Sequence, residues 1–353
     1  MSEIRVAIVG VGNCASALVQ GLYHYRDLDK EDIPGLMHLK LGGYRVSDVV
    51  PVAAFDVDVR KVGKDISEAI FAPPNCAWKF AEVPNMGVEV MMGKVDDGVP
   101  AHLAKFVEAA DKEQVNVADV LRENKVDVVV NFLPTGSSKA TRFYADEAIK
   151  KAKVGFVNGI PEMIASSDEY ARAAEDSNVP IVGDDFKSQI GATILHRDLA
   201  KLFYDRGIKI KRSYQLNYAG NTDFVNLVKR GESKEMTKST AVTSLIPYEF
   251  DLSTGFASIG ILKDKKIAYI MLEGENFGGA PMKLEVKLEV EDSPNSAGVL
   301  IDAIRCCKLA MDRGVGGVLT SASAYLMKHP PQQFNDDTAR RMLEEFIEDK
   351  RKR

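Results

Sequence analysis

An apolar run near the beginning of the chain leads into a glycine turn and then into a helical pattern. Residues 4–9 are mostly β-branched and end at Gly10, and apolar residues recur at helical spacing from Asn13 onward. In the spacing Gly10-x-Gly12-x-x-Ala15 the first glycine permits a tight turn, the second lets the backbone approach a pyrophosphate, and the alanine allows the helix to pack closely on the strand. The free amide groups at a helix N-terminus favour an anion there. This order of strand, turn and helix predicts a domain that binds NAD.

The remainder of the first half alternates between strands and helices. Strands are predicted at residues 49–55, 126–132, 154–158 and 180–182, with helices at 139–151 and 167–176. The continuous apolar run 126–132 is typical of a strand buried on both faces of a parallel sheet. Together these elements predict an α/β fold with a Rossmann-type, doubly wound parallel sheet. Two segments, 26–48 and 73–117, fit neither template and receive no predicted role.

The pattern changes after Gly183. A helix is predicted at 193–206, strands at 208–217, 256–262, 267–272 and 282–290, and helices at 297–314 and 336–349. Apolar and charged residues alternate strictly along 282–290, which indicates one buried and one solvated face and favours a mostly antiparallel sheet in a second α+β domain. We therefore expect a Rossmann domain formed by 1–185 and 296–353, with the C-terminal helices packed back on it, and a catalytic and oligomerisation domain at 186–295.

Composition excludes several classes of protein. The chain has 353 residues, 45% of them apolar and 27% charged, with a net charge of −5. These values are ordinary for a globular enzyme and provide no general attraction to nucleic acid or to an anionic membrane. The four cysteines form no C-x-x-C pair, no secretory leader precedes the first strand, and no apolar run approaches the roughly 20 residues of a membrane span. We expect a cytoplasmic protein with reduced thiols.

The predicted cofactor site extends beyond the glycine turn. Asp56 ends the second strand, where its carboxylate can accept hydrogen bonds from the adenosine ribose and repel a 2′-phosphate, so NAD is favoured over NADP. Two alternatives remain open, namely that Asp56 caps a following helix and that nearby Arg60 accepts NADP. Small and hydroxyl residues after the buried strand are expected to line the nicotinamide half of the cofactor. The predicted cofactor residues are Gly10, Gly12, Asn13, Cys14, Ala15, Asp56, Pro134, Gly136, Ser137 and Asp184.

The second half carries several polar motifs that contain lysine, amide or carboxylate groups. They are Gly183-Asp-Asp-Phe-Lys187-Ser-Gln, Asn217-Tyr-Ala-Gly-Asn221-Thr-Asp223, Ser233-Lys234-Glu-Met-Thr-Lys238, Asp292-Ser-Pro-Asn295 and Tyr325-Leu-Met-Lys328. Each has an ordinary structural explanation when it is taken alone. A lysine pair at i and i+4 usually forms a solvated helix face. Lys187 can pair with a neighbouring aspartate, and Lys328 can lie on the surface.

Taken together, these motifs resemble those of the myo-inositol-1-phosphate synthases, in particular the shorter bacterial and archaeal form, over nearly the whole chain. The resemblance implies conversion of D-glucose 6-phosphate to 1D-myo-inositol 3-phosphate. A tightly bound NAD oxidises C5, C6 is enolised and attacks the C1 aldehyde, and the same cofactor reduces C5 again. The reaction is a net isomerisation with a role in inositol and phospholipid biosynthesis. The longer eukaryotic enzymes carry a further lysine where this chain has 190–193, so the partner of the phosphate stays open.

The resemblance also implies roles for individual residues. Lys187 and Lys328 would bind the C5 oxygen and the oxyanion, with one of them as acid and base. Lys238, with Lys234, would hold the phosphate or the C1 oxygen. Preorganised ammonium groups suit a reaction that develops negative charge on oxygen. Asp184 or Asp185 would orient a lysine, and Asp292 would lie near the nicotinamide or the reacting centre. The predicted substrate-binding set is Ser188, Gln189, Asn217, Asn221 and Asp223.

The expected partners are a sugar phosphate and further copies of the chain, as a homotetramer, but neither nucleic acid nor a membrane. No metal-ligand set is visible, although Asp and Asn side chains near the phosphates leave room for a divalent or monovalent cation. Two other functions stay open. The first is an NAD-dependent dehydrogenase of a sugar phosphate or amino-acid precursor, and the second is a non-enzymatic relative that binds NAD. The presence of three lysine motifs argues against the non-enzymatic relative, because such a protein has no need of buried cations, which are costly to keep.

Overall fold

Two β-sheets organise the chain in the computed structural model, which describes residues 3–28, 33–97, 99–230, 242–244 and 246–353. The first part contains β1 (Ile4–Val9), α1 (Asn13–His24), β2 (Val49–Asp56), α2 (Ile66–Ala69), β3 (Val90–Met92), α3 (Val117–Glu123), β4 (Val128–Asn131), α4 (Ser138–Ala145), β5 (Gly155–Asn158), α5 (Asp168–Asp176) and β6 (Pro180–Val182). A π-helix, Asp146–Ala152, continues α4.

The second part begins with α6 (Ala192–Asp205), β7 (Lys209–Ala219), α7 (Thr222–Arg230), β8 (Asp251–Ser258), β9 (Lys265–Glu275) and β10 (Pro281–Glu291). It ends with α8 (Asp292–Asp312), β11 (Gly317–Val318), α9 (Thr320–Leu326) and α10 (Asp336–Ile347). The predicted strand at 256–262 starts earlier than expected and stops at Ser258, followed by a short 3₁₀ helix. Helices α7 and α9 were not predicted.

The first sheet has the strand order β11-β6-β5-β4-β1-β2-β3, and its pairings are parallel. This confirms the predicted doubly wound sheet. The strand order reverses at β1, which lies between β2 and β4. In open parallel sheets the carboxyl ends of the strands at such a reversal form a crevice where ligands bind. The glycine turn that follows β1 is therefore at the expected place for a cofactor.

The second sheet has the order β10-β9-β7-β8. Its β10–β9 and β9–β7 pairs are antiparallel, whereas β7 and β8 are parallel. The prediction of a mostly antiparallel sheet is confirmed, and α7 lies in the connection that makes the one described parallel pair possible.

Helix α8 joins the two parts. It begins at Asp292, earlier than predicted, and packs against α1 and against β4, β5 and β6. Its Leu300 and Ile304 are fully buried in the same apolar cluster as Ile8 and Leu18. The chain then adds β11 to the edge of the first sheet beside β6. The part of the chain from Asp292 onward thus contributes both core and a strand to the layer of the first sheet.

The segments without a predicted role are packed against this framework. The side chain of Arg305, buried on α8, donates to the backbone oxygens of His38, Leu39 and Tyr44. Asn75 donates to Val11 O at 3.0 Å, which fastens the second segment to the glycine turn. None of the helices within the described ranges is long and apolar enough to cross a membrane.

Candidate active site

A large cavity lies between the carboxyl edge of the first sheet and the elements of the second part. It is lined from one side by the turns that follow β1, β2, β4 and β5, and from the other by the beginnings of α6, α7 and α8. The predicted residues in its lining are Gly10, Gly12, Asn13, Cys14, Asp56, Pro134, Asp185, Lys187, Ser188, Asn221, Asp223, Asp292 and Lys328. The two halves of the predicted site, far apart in sequence, therefore meet at one place.

The glycine turn has the geometry that a dinucleotide needs. Gly10 has a φ of +86°, and a Cβ there would lie 2.8 Å from the oxygen of Phe132, so a larger residue would clash with backbone. A Cβ on Gly12 would meet no described atom within 4 Å, because this residue faces the cavity. Helix α1 starts directly after Gly12 without a side-chain cap, which leaves amide groups to a ligand. The turn fits a pyrophosphate.

Asp56 shapes the turn as well as lining the cavity. Its carboxylate accepts hydrogen bonds from the amides of Val11 at 2.7 Å, Val57 at 2.7 Å and Asp58 at 2.9 Å. The alternative that Asp56 caps a helix is wrong, because the next described helix, α2, begins at Ile66 and is capped by Asp65.

Arg60, the residue that kept NADP open, is engaged elsewhere. Its Nε donates to Asp58 Oδ1 at 2.8 Å, and its terminal nitrogen donates to the backbone oxygen of Phe106. This hydrogen bond to the Asp58 carboxylate raises the pKa of the guanidinium. A guanidinium held this way is poorly placed for a 2′-phosphate.

Two segments that sequence reasoning missed complete the cofactor side. Asn13 Oδ1 accepts hydrogen bonds from the amides of Cys76 at 2.7 Å and Ala77 at 3.1 Å, so a strap formed by residues 73–77 covers the turn. Farther along, Val99, Leu103 and Val107 form an apolar wall of the cavity. Irregular segments of this kind have no periodicity from which their position could be predicted.

On the opposite side, residues 184–187 pair with residues 326–329. The amide of Lys187 donates to Leu326 O at 2.8 Å, and the amide of Lys328 donates to Asp185 O at 2.7 Å. This pairing brings the side chains of Asp185 and Lys328 together, with 2.8 Å between Oδ1 and Nζ. Asp185 is buried and Lys328 nearly so, and both line the cavity.

Lys187 differs from expectation. Only 2% of it is exposed, and its ammonium donates to Ala324 O at 3.1 Å and to Asp336 Oδ1 at 3.0 Å. Burial lowers the pKa of this amine, and the Asp336 carboxylate opposes that shift. Lys187 thus contributes to the cavity wall while its charge is directed to the C-terminal helix.

Lys266 is a cavity residue that the sequence analysis missed. It lies on β9, and its Nζ is 2.8 Å from Oδ1 of Asp292, the first residue of α8. A signal was present in the sequence. Because β9 and β10 form a hairpin, the register that pairs Lys265 with Glu291 brings the following lysine and aspartate to the same end of the sheet.

Asp264 connects two elements at the cavity edge. Its carboxylate accepts hydrogen bonds from Asn221 Nδ2 at 3.1 Å and from both the amide and the hydroxyl of Ser293, at 3.1 and 2.9 Å. Burial, with a smaller effect of the Asp292 charge, raises its pKa to about 6. Asp264 holds the beginnings of α7 and α8 beside each other.

Among the residues that the structure describes, four helices begin at this cavity. First-turn residues of α1, α6, α7 and α8 lie in its lining, and the N-terminal end of a helix carries partial positive charge. The ammonium groups of Lys266 and Lys328 lie on the same side, each paired with an aspartate of the lining. The cavity is therefore suited to bind anionic groups at more than one point.

Several predicted residues do not line the cavity. Asp184 is buried below it, where its carboxylate accepts from the amides of residues 164–166 and from Asn158 Nδ2, and burial raises its pKa to about 6. Asn217 points into the second sheet and donates to Gly255 O, while Gln189 donates to Gly35 O at 2.9 Å. The others outside the lining are Ala15, Gly136 and Ser137. Sequence motifs mark the neighbourhood of a site but not the direction of each side chain.

Lys234 and Lys238 lie outside the described residues. Within the ranges that the structure describes, no group of three or more His, Cys, Asp or Glu side chains is arranged to hold a metal ion.

Comparison with known proteins gives concordant results. A family model described as myo-inositol-1-phosphate synthase matches residues 191–293. The inositol-3-phosphate synthase of Mycolicibacterium smegmatis is 54% identical over 98% of both chains, and that of Corynebacterium glutamicum is 50% identical over 98% of both chains.

Among solved structures, a myo-inositol-1-phosphate synthase-related protein from Thermotoga maritima superposes with a TM-score of 0.80 at 27% identity, covering 98% of each chain. The inositol-3-phosphate synthase of Caenorhabditis elegans superposes with a TM-score of 0.78 at 16% identity, covering 98% of this chain and 86% of the other. The second likeness shows a shared fold.

Proposed function

Because the chain belongs to the myo-inositol-1-phosphate synthase family, we propose that its cavity converts D-glucose 6-phosphate to 1D-myo-inositol 3-phosphate with one NAD that stays bound throughout. The protein is an enzyme that cyclises glucose 6-phosphate, an isomerase of inositol biosynthesis. The observation that carries the detailed proposal is the junction of the glycine turn with two lysine–aspartate pairs in one cavity.

The cofactor half rests on the turn between β1 and α1. Gly12, open to the cavity, and the uncapped start of α1 would hold the pyrophosphate, and Asp56 would face the adenosine ribose at the end of β2. Bound NAD would take the hydride from C5 at the start of the cycle and return it at the end. The strap at 73–77 and the apolar wall at 99–107 would keep water away from this half.

Lys328 is assigned to the oxygen on C5. Its ammonium lies 2.8 Å from Asp185, which is buried and so holds the lysine in one orientation. In its neutral amine form Lys328 can accept the hydroxyl proton as C5 is oxidised, becoming the ammonium that Asp185 stabilises, and it returns this proton when C5 is reduced again. One group then serves both proton transfers, which leaves no net gain or loss of protons over the cycle.

Lys266 is assigned to the negative charge that develops on oxygen during enolisation and ring closure. Its partner Asp292 keeps the ammonium at the cavity wall at the beginning of α8. A fixed cation of this kind stabilises an oxyanion without reorganisation of water. Lys234 and Lys238, which are four positions apart in the sequence, remain predicted ligands of the phosphate or the C1 oxygen.

The substrate phosphate is assigned to the N-terminus of α6. Gly191, Ala192 and Thr193 line the cavity there, together with Ser188, and α6 has no side-chain cap. These residues occupy the position where the longer enzymes carry a further lysine. Backbone amides and hydroxyls at the start of a 14-residue helix would replace that cation.

An assembly through the second sheet is also proposed, with a homotetramer as the expected state. The outward face of β7 and β9 carries Tyr214, Leu216, Tyr218, Ile267 and Tyr269, with the buried Met271 beside Tyr214. Leu216 pairs directly with Tyr269, and both are more than a third exposed. A continuous apolar strip on a sheet is suited to pack against a second copy. A cytoplasmic location stays a prediction.

The reaction is tested by incubating the protein with an excess of glucose 6-phosphate and with NAD equimolar to the protein. Phosphorus NMR is expected to show complete conversion to an inositol phosphate, while the near-ultraviolet absorbance of NADH does not accumulate. A dehydrogenase of a sugar phosphate would instead stop after one equivalent of NADH. Accumulation of NADH with an open-chain product would overturn the proposal.

A further inference from the structure

The C-terminal helix reaches the substrate side of the cavity through one carboxylate. Asp336 is the first residue of α10, and its two oxygens serve two buried cations. Oδ1 accepts a hydrogen bond from Lys187 Nζ at 3.0 Å, and Oδ2 lies 2.6 Å from Arg197 Nε. Lys187 belongs to the segment that carries Asp185 and Ser188 into the cavity, whereas Arg197 belongs to α6.

A second connection runs from the same arginine to Lys328. Arg197 is fully buried, and one of its terminal nitrogens donates to Gln333 Oε1 at 3.2 Å. Gln333 Nε2 in turn donates to the backbone oxygen of Lys328 at 2.8 Å. The other terminal nitrogen of Arg197 donates to Phe334 O. The segment that runs from Lys328 to Asp336 is therefore joined to α6 by charged and polar groups around the buried Arg197.

We propose that Asp336 is a positioning residue of the active site, which acts by holding the segment 185–193 and α6 in register with Lys328. This inference rests on the proposed function only for the measurements of turnover. Asp336 touches neither substrate nor cofactor in this assignment, and it acts through Lys187 and Arg197.

The charged groups around Lys187 determine how the loss of Asp336 would change the pH dependence of activity. Asp336 on α10 faces the ammonium, as do Arg197 and the half-buried Asp198 on α6. Burial lowers the pKa of Lys187 and Arg197 lowers it further, while Asp336 raises it. Loss of the Asp336 charge would therefore make Lys187 lose its proton at a lower pH, and its bond to the chain at Ala324 would weaken with it.

The test compares Asp336→Asn with Asp337→Asn, the exposed neighbour on the same helix. In Asp336→Asn we expect kcat/KM for glucose 6-phosphate to fall by about 10- to 100-fold, the effect of one charge-assisted hydrogen bond, while the Kd of NAD stays unchanged. The decline of activity at high pH is expected to move to lower pH. Asp337→Asn should match the wild type in all three measurements.

Amide hydrogen exchange separates this inference from the proposed function. Exchange of residues 185–193 is expected to be faster in Asp336→Asn than in Asp337→Asn, whatever the substrate of the enzyme. If the wild type makes no inositol phosphate, the function fails while the exchange result still decides the positioning role. Wild-type exchange in Asp336→Asn, or a loss of activity with an unshifted pH profile, would overturn the inference.

Asp336→Glu covers the case in which Asp336→Asn does not fold. This variant keeps the charge but moves it by one methylene. We expect kcat to fall severalfold, with the pH profile of the wild type and faster exchange at 185–193. Wild-type kcat together with wild-type exchange in Asp336→Glu would overturn the inference.

Discussion

At the scale of single residues, three of the lysines that line the cavity are paired with carboxylates from distant parts of the chain. Lys328 pairs with Asp185, Lys266 with Asp292, and Lys187 with Asp336. Each pair keeps an ammonium in one orientation in a poorly hydrated place, where isolated charge is costly. In the proposed reaction a substrate oxyanion would compete with Asp185 for Lys328 and with Asp292 for Lys266.

The role of Lys266 can be tested against its neighbour. Lys266→Met is expected to lower kcat by about 10²- to 10³-fold, because it removes a fixed cation from a developing oxyanion. Lys265→Met is the control, since Lys265 also loses an ion pair, to Glu289, but at the exposed side of β9. Steady-state assays of both variants check the prediction. Equal effects would show that only the sheet had been disturbed.

Asp264 predicts a dependence of stability on pH. Its pKa is raised from 3.8 to about 6, chiefly by burial, so the folded state holds this proton more tightly than the unfolded chain. The contribution of this carboxyl to stability therefore falls as pH rises from about 4 to about 6, and it changes no further above that range. In Asp264→Asn this dependence disappears.

Urea unfolding across that range measures the effect. The free energy of unfolding of the wild type, relative to that of Asp264→Asn, is expected to decrease by up to about 3 kcal/mol between the two ends. Asp251→Asn, at an exposed position on β8, should leave the pH dependence of the wild type unchanged. A constant difference between wild type and Asp264→Asn would contradict the prediction.

At the scale of elements, the two glycines of the turn between β1 and α1 have different roles: Gly10 serves packing and Gly12 serves binding. Gly10 has positive φ and would clash with Phe132, whereas Gly12 faces open space. Gly12→Ala is therefore expected to keep the thermal midpoint of the wild type and to weaken NAD binding by more than about tenfold, because its methyl group occupies the approach to the pyrophosphate. Gly10→Ala should lose both stability and binding.

Calorimetry of folding and titration with NAD distinguish the two variants. Gly260→Ala, which also faces open space but lies far along the chain from the turn, is the control and should bind NAD normally. Normal NAD affinity in Gly12→Ala would refute the assignment of this turn to the cofactor.

The same scale shows how sequence patterns succeed and fail. The strict alternation along β10 predicted a strand correctly, because one face of β10 is more exposed than the other. The apolar run of β4 did so because that strand is buried on both faces. Helices α7 and α9 escaped prediction because they are short and partly polar, and their ends are determined by contacts such as that of Asn221 with Phe224. Short elements of this kind depend on tertiary contacts more than on propensity.

At the scale of the whole molecule, the outward face of the second sheet predicts assembly. Leu216→Lys places a charge in the centre of the strip beside Tyr269, and we expect it to dissociate the oligomer into smaller species. Ile261→Lys, at an 88% exposed position in the turn after β8, is the control and should not change the mass. Light scattering after size-exclusion chromatography measures both. An unchanged mass in Leu216→Lys would exclude this face as the interface.

The class of fold, the place of the glycine turn and the family could all be predicted from the sequence. Those properties follow from local order, since periodicity, β-branched runs and the spacing of small residues describe a strand, a turn and a helix wherever the chain lies. The motif lysines and aspartates were also found in this way, although their partners were not.

Which side chains line the cavity together depends on tertiary packing. Asp184 and Asn217 are buried and make structural hydrogen bonds. Lys266 pairs with Asp292, and the ammonium of Lys187 pairs with Asp336. Residues more than a hundred positions apart, such as Asp185 and Lys328, meet only because a sheet and two loops pack against each other. Direction and partnership of side chains depend on that packing, which no local pattern encodes.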